Sequence, residues 1–336
     1  MSELLNTIIL TEGEKSVIFE ALKGMHYEAT GSTEYIHALR KIAYQKFPDK
    51  ILNLFNLAHH NEVPHVCIEN LPTSEILRIP FQNEIGKNDF LSENIILSFA
   101  SLVGEPYAIS AEGKEIVNNL IPYKETRNDY TGLGSAVELD FHIENSALNF
   151  LFKQDNLSPS ALFLLGIASN ENNPVKTKFA DARLALKQLS KQCIQTLKGD
   201  NYIISVPYRW REYLPSQKLF TNPVPIVVGH LESPRIFAAF YSNIMKPASK
   251  EAQIALDSFK NELVKISSHA VLTAGKLLYI NNKYTLHARE AFTPIYSPDG
   301  RGDRWVQRVF TSKDISSFSR IKNLYGRIYE PSYCHE

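Results

Sequence analysis

The sequence predicts an α+β, β-rich fold: a sandwich or jelly roll covered by helices, with further helices at its N-terminus. Three observations carry this reading. Residues 1–60 show helical spacing of apolar positions; after Pro64 the chain breaks into short strand-like pieces bounded by Gly, Pro and Asn; and one strong amphipathic helix interrupts that β-rich part. No linker rich in Pro, Gly or Ser and no fixed-period repeat divides the chain. It therefore reads as a single domain, 1–336, in which 1–60 is a helical cap and 61–336 a jelly-roll core with helical insertions.

The elements follow in order. Thr11 and Glu14 have the spacing of a capping box ahead of Val17, Ile18 and Leu22. Ser32 and Thr33 open a second helix, in which Ile36, Leu39, Ile42 and Ala43 recur at helical spacing. The run HVCIENLP reads as a strand ending at Pro72. Strands are also expected in AVELDFHIE, NYIISVPYRW, PVPIVVGHL, RIFAAFY and RWVQRVFT. Ser249 caps the interrupting helix, whose stripe is Ala252, Leu256, Phe259, Leu263 and Ile266. Beyond it, KLLYI and YTLHAR read as two strands joined by a turn at Asn281-Asn282.

Composition narrows the function classes. Hydrophobic residues make up 44% and charged residues 21% of 336, ordinary values for a chain with a substantial core. Lys and Arg number 36, as do Asp and Glu, so the basic excess of a nucleic-acid or polybasic membrane binder is missing. Cys67, Cys193 and Cys334 form no CxxC pair, which argues against a disulfide framework or structural zinc and suits a reducing cytosol. The N-terminus has no basic region of the secretory kind, and the longest polar-free run, ALFLLGIA, is too short to cross a bilayer. The expectation is a soluble cytoplasmic protein with a small-molecule partner, and neither nucleic acid nor membrane.

Ten histidines are present, and for eight of them a surface or hydrogen-bonded role is expected. His142 and Glu144 differ. They lie in VELDFHIEN, which alternates apolar and polar, and on a strand residues i and i+2 project from one face. An imidazole and a carboxylate so placed, with one distant histidine, form the 2-His-1-carboxylate triad that holds Fe(II) and leaves coordination positions open. His287, behind the strand–turn–strand pattern, can be that third ligand. Arg304, in GDRW, and Arg308 follow, and a guanidinium fork suits a dicarboxylic cosubstrate. Trp305 is expected to pack on the opposite face, Cys193 to be a small buried hydrophobe, and the Arg-Gly-Asp triplet in DGRGD to be a chance occurrence.

The stretches HIEN, HAREAF and DGRGDRWVQR resemble those of the clavaminate synthase-like iron/2-oxoglutarate oxygenases, a group within the taurine dioxygenase superfamily. The resemblance spans roughly Ala100 to Phe310 in motif order. It implies a double-stranded β-helix (jelly roll), Fe(II) held by His142, Glu144 and His287, and 2-oxoglutarate and O₂ as cosubstrates. It implies Arg304 and Thr177 (in VKTKFA) as partners of 2-oxoglutarate, and Arg308, Glu112, Asn145 and Asn243 on the substrate side. Arg308 would pair with the α-carboxylate of an amino acid and Glu112 with its ammonium. On this reading Arg308→Ala raises the substrate KM and spares iron binding. Three departures stand out. Ala288 follows His287 where glycine is usual, and Ser297, Pro298 and Arg301 lengthen the next loop, so Arg304 is aligned on DRW. Tyr241-Ser242-Asn243 occupy a substrate-lid position where a carboxylate is common, which speaks against arginine as substrate.

The expected activity is hydroxylation of an unactivated C–H bond of a free or carrier-bound L-amino acid, yielding succinate and CO₂. Glu144 favours hydroxylation over halogenation, because halogenases of this superfamily carry a small residue there. A desaturase or cyclase of an amino-acid-derived molecule, and a non-catalytic jelly-roll binding protein, remain open at this point.

Overall fold

The structure is a computed structural model that describes residues 6–80, 84, 86–151, 157–241 and 244–333. The N-terminal helices are Glu12–Leu22, Thr33–Lys46 and Asp49–His59. Thr11 and Glu14 make the reciprocal capping box: Glu14 N–H donates to Thr11 Oγ1 (3.3 Å) and Thr11 N–H to Glu14 Oε2 (2.8 Å). Ser32 and Ser249 cap in the same way, accepting from the backbone N–H of Tyr35 and Ala252.

Two sheets dominate. The larger has nine strands, in the order Thr7–Ile9, His65–Glu69, Leu277–Asn281, Ala161–Ala168, Trp305–Ser312, Glu105–Ile109, Ile328–Tyr333 and Ile321–Tyr325, with Asn118–Leu120 also paired to Trp305–Ser312. The smaller has four, in the order Ser268–Val271, Lys176–Asp181, Thr285–Arg289 and Leu139–His142.

Strand alternation sorts the core. Leu162, Leu164, Leu278, Ile280, Val306 and Phe310 share one apolar cluster with Phe141, Phe179, Leu286 and Ala288 of the smaller sheet. Their neighbours Phe163, Leu165, Leu277, Tyr279, Trp305 and Val309 join Ile36, Leu39, Phe55 and Phe99 of the helices in a second cluster. The large sheet is thus apolar on both faces, because each face is covered. Trp305 is on the helix-covered side, as expected, with its indole N–H on Asn119 Oδ1 at 2.8 Å.

Helix Lys250–Ile266 packs its stripe into the first cluster, where Phe259 and Leu263 are fully buried. Each such side chain contributes roughly 1.5–3 kcal/mol relative to exposure.

Three local expectations are corrected, and one helix is new. Helix Leu91–Val103 was not visible in the sequence reading: every one of its residues is buried, so it has no polar face to set a period. Asn281-Asn282 is not a hairpin turn, since Leu277–Asn281 and Thr285–Arg289 belong to different sheets. The two asparagines bond outward to other segments, Asn281 N–H to Pro64 O and Asn282 Nδ2 to Pro159 O, and the chain crosses between the sheets. NYIISVPYRW is a strand only at Tyr202–Ile204; after Pro207 it coils into a 3₁₀ turn, Tyr208–Trp210. RIFAAFY is a strand only to Ile236, beyond which a single bridge joins Ala239 to His142. Among the described residues no helix is long and apolar enough to cross a membrane.

Candidate active site

His142 ends the strand Leu139–His142, and His287 lies in the middle of Thr285–Arg289, directly opposite it in register. Cross-strand partners bring their side chains together, and the two imidazole centroids are 4.1 Å apart. His142 Nδ1 is 2.9 Å from the carbonyl of Asp140. A proton on Nδ1 would donate to that carbonyl and leave the Nε2 lone pair facing Glu144, 4.0 Å away.

Glu144 reaches the same point by a route the alternation rule did not foresee. The strand stops at His142, and Glu144 sits in the turn that follows. Asn282 fixes that turn: its Oδ1 accepts from Glu144 N–H (2.9 Å), and its Nδ2 donates to Glu144 O (3.3 Å). Ser158 Oγ donates to the same carbonyl at 3.0 Å. The next residue, Asn145, has φ 54°, a left-handed conformation that asparagine tolerates better than most residues. Glu144 Oε1 comes within 3.6 Å of His287 Nε2. Ligand atoms of His142, Glu144 and His287 all lie within 4.8 Å of one another.

The electrostatics match a metal-ligand set. Burial and the neighbouring His287 push the His142 imidazole down to about 3, so it is neutral with a lone pair available. Burial alone would raise Glu144; the hydrogen bond from His287 and the charge of Arg308 outweigh it and hold the carboxylate below its ordinary range. Two imidazoles and one carboxylate converging from separate segments suit a divalent iron and leave several coordination positions unfilled by protein.

Arg308 lies on the inner face of Trp305–Ser312 and is buried. Its Nη2 donates to Glu112 Oε2 (2.9 Å) and to Asn118 Oδ1 (3.3 Å), and its Nη1 is 3.5 Å from Glu144 Oε1. Desolvation opposes the charge, but Glu112 and Glu144 hold the guanidinium above its usual value. The second oxygen of Glu112 accepts from the Trp210 indole N–H at 3.0 Å.

Arg304 is also buried and lies on the wall of the same pocket, whose open space counted out to its mouth is about 820 Å³. Among the described residues no carboxylate lies within ion-pair distance of it. Burial and the nearby Arg289 lower its guanidinium to about 10. Thr177 lines the pocket from the strand Lys176–Asp181, opposite Arg289 in register. Arg301 lies elsewhere, paired with Asp299 (2.9 Å) and Glu84 (3.1 Å). Asn145 lines the pocket with both amide atoms buried and without a hydrogen-bond partner. Asn243 falls outside the described residues.

The pocket also contains residues to which the sequence alone assigns no contact in the site. Tyr241 sets its ring edge-on to His142, at 5.1 Å. Arg209 arrives on the 3₁₀ turn Tyr208–Trp210, in a run expected to be strand, and Trp210 beside it supports Glu112. Arg289 lines the wall with its guanidinium tied to the carbonyls of Glu290 and Val137. The sequence signal available for Asn282 was its place in the loop before His287, and there it was read as a turn residue.

No family model matches the chain. Two curated proteins are similar over nearly the whole length. An L-lysine 3-hydroxylase of Catenulispora acidiphila is 24% identical over 339 residues, covering 96% of this chain and 88% of its own. An L-asparagine oxygenase of Streptomyces coelicolor is 22% identical, covering 92% and 90%. Among solved structures, asparagine oxygenase in complex with Fe(II), 3-hydroxyasparagine and succinate superposes with a TM-score of 0.83 at 19% identity, over 97% of this chain and all of that one. The non-haem iron oxygenase OrfP, in complex with Fe and α-ketoglutaric acid, gives 0.79 at 19% identity, over 96% and 99%. The chain is thus similar from end to end to a lysine hydroxylase and an asparagine oxygenase, which agrees with the resemblance of HIEN, HAREAF and DGRGDRWVQR to the clavaminate synthase-like oxygenases.

Proposed function

We propose that this protein is an Fe(II)- and 2-oxoglutarate-dependent oxygenase that hydroxylates an unactivated C–H bond of an L-amino acid, releasing succinate and CO₂. The observation that carries the reading is the convergence of His142, Glu144 and His287 within 4.8 Å, inside a pocket whose wall also carries Arg304 and Arg308. The full-length relatives named above support it. Iron with 2-oxoglutarate and O₂, when bound, supplies the oxidising power that no side chain has.

The chain's own residues hold and orient. His142, Glu144 and His287 are the ligands in this reading, with Asn282 fixing the backbone of Glu144. Arg304 takes the distal carboxylate of 2-oxoglutarate, with Thr177 beside it, because a buried guanidinium without an acidic neighbour is matched by a bidentate carboxylate. Arg308 faces the α-carboxylate of the amino acid and Glu112 its ammonium; Arg308 Nε and the Asn145 amide have hydrogen-bonding capacity to spare. Fixing both ends of a free amino acid places one carbon at the metal and excludes water from it. In this reading the two sheets form a jelly roll, the chain is a single domain and the cytoplasm is its compartment.

The test is an anaerobic titration of the protein with Fe(II) and 2-oxoglutarate. The expected result is a weak visible charge-transfer band that His287→Ala abolishes, and under air, succinate release stimulated by an amino acid with product heavier by one oxygen. Absence of the band, with no succinate from any amino acid, overturns the reading.

A further inference from the structure

Arg209 is a pocket-wall residue with no task in the reading above. It lies just after Pro207, on the turn Tyr208–Trp210, and is half-buried. Its hydrogen-bond partner is Thr131 Oγ1 at a long 3.4 Å, and among the described residues no carboxylate lies within ion-pair distance. The acidic groups whose charge reaches it are Glu112, then Asp129 and Glu144, and both oxygens of Glu112 are occupied, one by the Trp210 indole and the other by Arg308.

Among the described residues the wall is unbalanced. It carries the guanidiniums of Arg209, Arg289, Arg304 and Arg308 against the carboxylates of Glu112 and Glu144. A ferrous ion and the 2-oxoglutarate dianion cancel each other, so the excess of two positive charges persists in the loaded site. Three of the four guanidiniums already have an assignment. Arg289 is bonded to two backbone carbonyls, Arg304 belongs to the cosubstrate, and Arg308 is held between Glu112 and Glu144. Arg209 is left facing the substrate space. A basic side chain brought into this space would meet like charge, and the two carboxylates that line it among the described residues, Glu112 and Glu144, are already engaged. An amide would leave the excess untouched. A carboxylate would offset it and satisfy the fork of Arg209 with two charge-assisted hydrogen bonds.

We infer that the amino acid taken by this site carries a second carboxylate on its side chain, received by Arg209. The inference rests on the oxygenase reading and names its substrate class. It also separates this chain from relatives named for lysine and asparagine.

The experiment is anaerobic calorimetry of the protein loaded with Fe(II) and 2-oxoglutarate, titrated with L-aspartate, L-glutamate, L-asparagine, L-glutamine and L-lysine. One of the two acids is expected to bind at least about tenfold more tightly than its own amide, with lysine weakest. Arg209→Gln, checked by its melting curve, is expected to erase that preference, and Arg209→Lys to retain part of it. Three outcomes overturn the inference: neither acid binds, an amide or lysine binds as tightly as the acids, or Arg209→Gln weakens acid and amide by the same factor. The last would assign Arg209 to the α-carboxylate that all five ligands share. The charge-transfer band keeps the two readings apart: if it never forms, the oxygenase reading fails, and if it forms without preference for an acid, only the present inference does.

Discussion

Gln307 and Arg308 are adjacent on one strand, face opposite sides of the large sheet, and are both buried among polar partners. On the helix-covered side, Gln307 Nε2 donates to Glu93 Oε1 (2.7 Å) and Asn119 Oδ1 (3.3 Å). Glu93 in turn pairs with the buried Lys87, whose ammonium also donates to the carbonyl of Asp89. That network sets charge against charge and, among the described residues, leaves a single atom, Gln307 Oε1, without a partner. On the other side, Arg308 meets two carboxylates, Glu112 and Glu144. Around it Arg308 Nε, His287 Nδ1 and both amide atoms of Asn145 have no partner. Buried polar groups are normally satisfied, so several open groups gathered at one cavity mark a place built for something other than folding. Burial of charge alone does not separate a structural network from a site. Spare hydrogen-bonding capacity around a shared space does.

The sharpest way to break this comparison is Arg308→Ala. The sequence reading expected it to raise the substrate KM and leave iron untouched. The structure changes that expectation, because Arg308 also faces Glu144 and is the ion-pair partner of Glu112. Removing it leaves two buried carboxylates without their cation, which costs roughly 3–5 kcal/mol. The expected outcome is a metal-free protein melting well below the wild type, weakened Fe(II) binding, and kcat/KM lower by about a thousandfold or more. Melting curves with iron titration check it. Wild-type iron affinity in the variant would return Arg308 to a purely substrate-facing role.

Asn282→Ala is the next largest. Asn282 touches no iron ligand atom; it holds the backbone on both sides of Glu144. Partners that orient ligands typically set metal affinity by about 10- to 100-fold, and that loss in Fe(II) affinity is expected here. The amino-acid KM, measured at saturating iron, should move far less. A merely structural asparagine would lower the melting temperature and leave the iron affinity of the folded protein unchanged, so the two readouts separate the roles.

Much of this arrangement was legible in the sequence, and what was not has local physical causes. The caps at Thr11, Ser32 and Ser249 were readable because capping depends on side chains within three residues. The order His142, Glu144, His287, Arg304 was readable because type and spacing survive whatever the backbone does between them. The sequence does not display how Glu144 arrives. Alternation assumed a continuous strand, whereas a turn fixed by Asn282, well over a hundred residues away, does the work. Asn281-Asn282 looked like a hairpin because turn chemistry is local, while its actual partners lie in the segments around Pro64 and Pro159. Helix Leu91–Val103 gave no periodic signal because it is covered on all sides. Arg209 was hidden in a run whose aromatic and β-branched residues favour a strand, and Pro207 turns that run into the pocket wall.

The smallest expected effect tests the closed side of the comparison. Gln307→Leu removes one donor from Glu93 Oε1 and one from Asn119 Oδ1. Glu93 keeps its ion pair with Lys87, and Asn119 keeps the Trp305 indole N–H at 2.8 Å. Leucine is close to glutamine in volume and enters an apolar neighbourhood that includes Trp305 and Val309. The loss is therefore about one or two net hydrogen bonds, on the order of 1–2 kcal/mol, partly offset by apolar burial. A drop of a few degrees in melting temperature is expected, with iron affinity and kcat/KM within twofold of wild type. Residues 307 and 308 are consecutive, so any general distortion of the strand would appear in both variants. A Gln307→Leu protein that lost iron as Arg308→Ala does would show that the two faces are one coupled network, and that satisfied and open polar groups do not divide structure from site in this molecule.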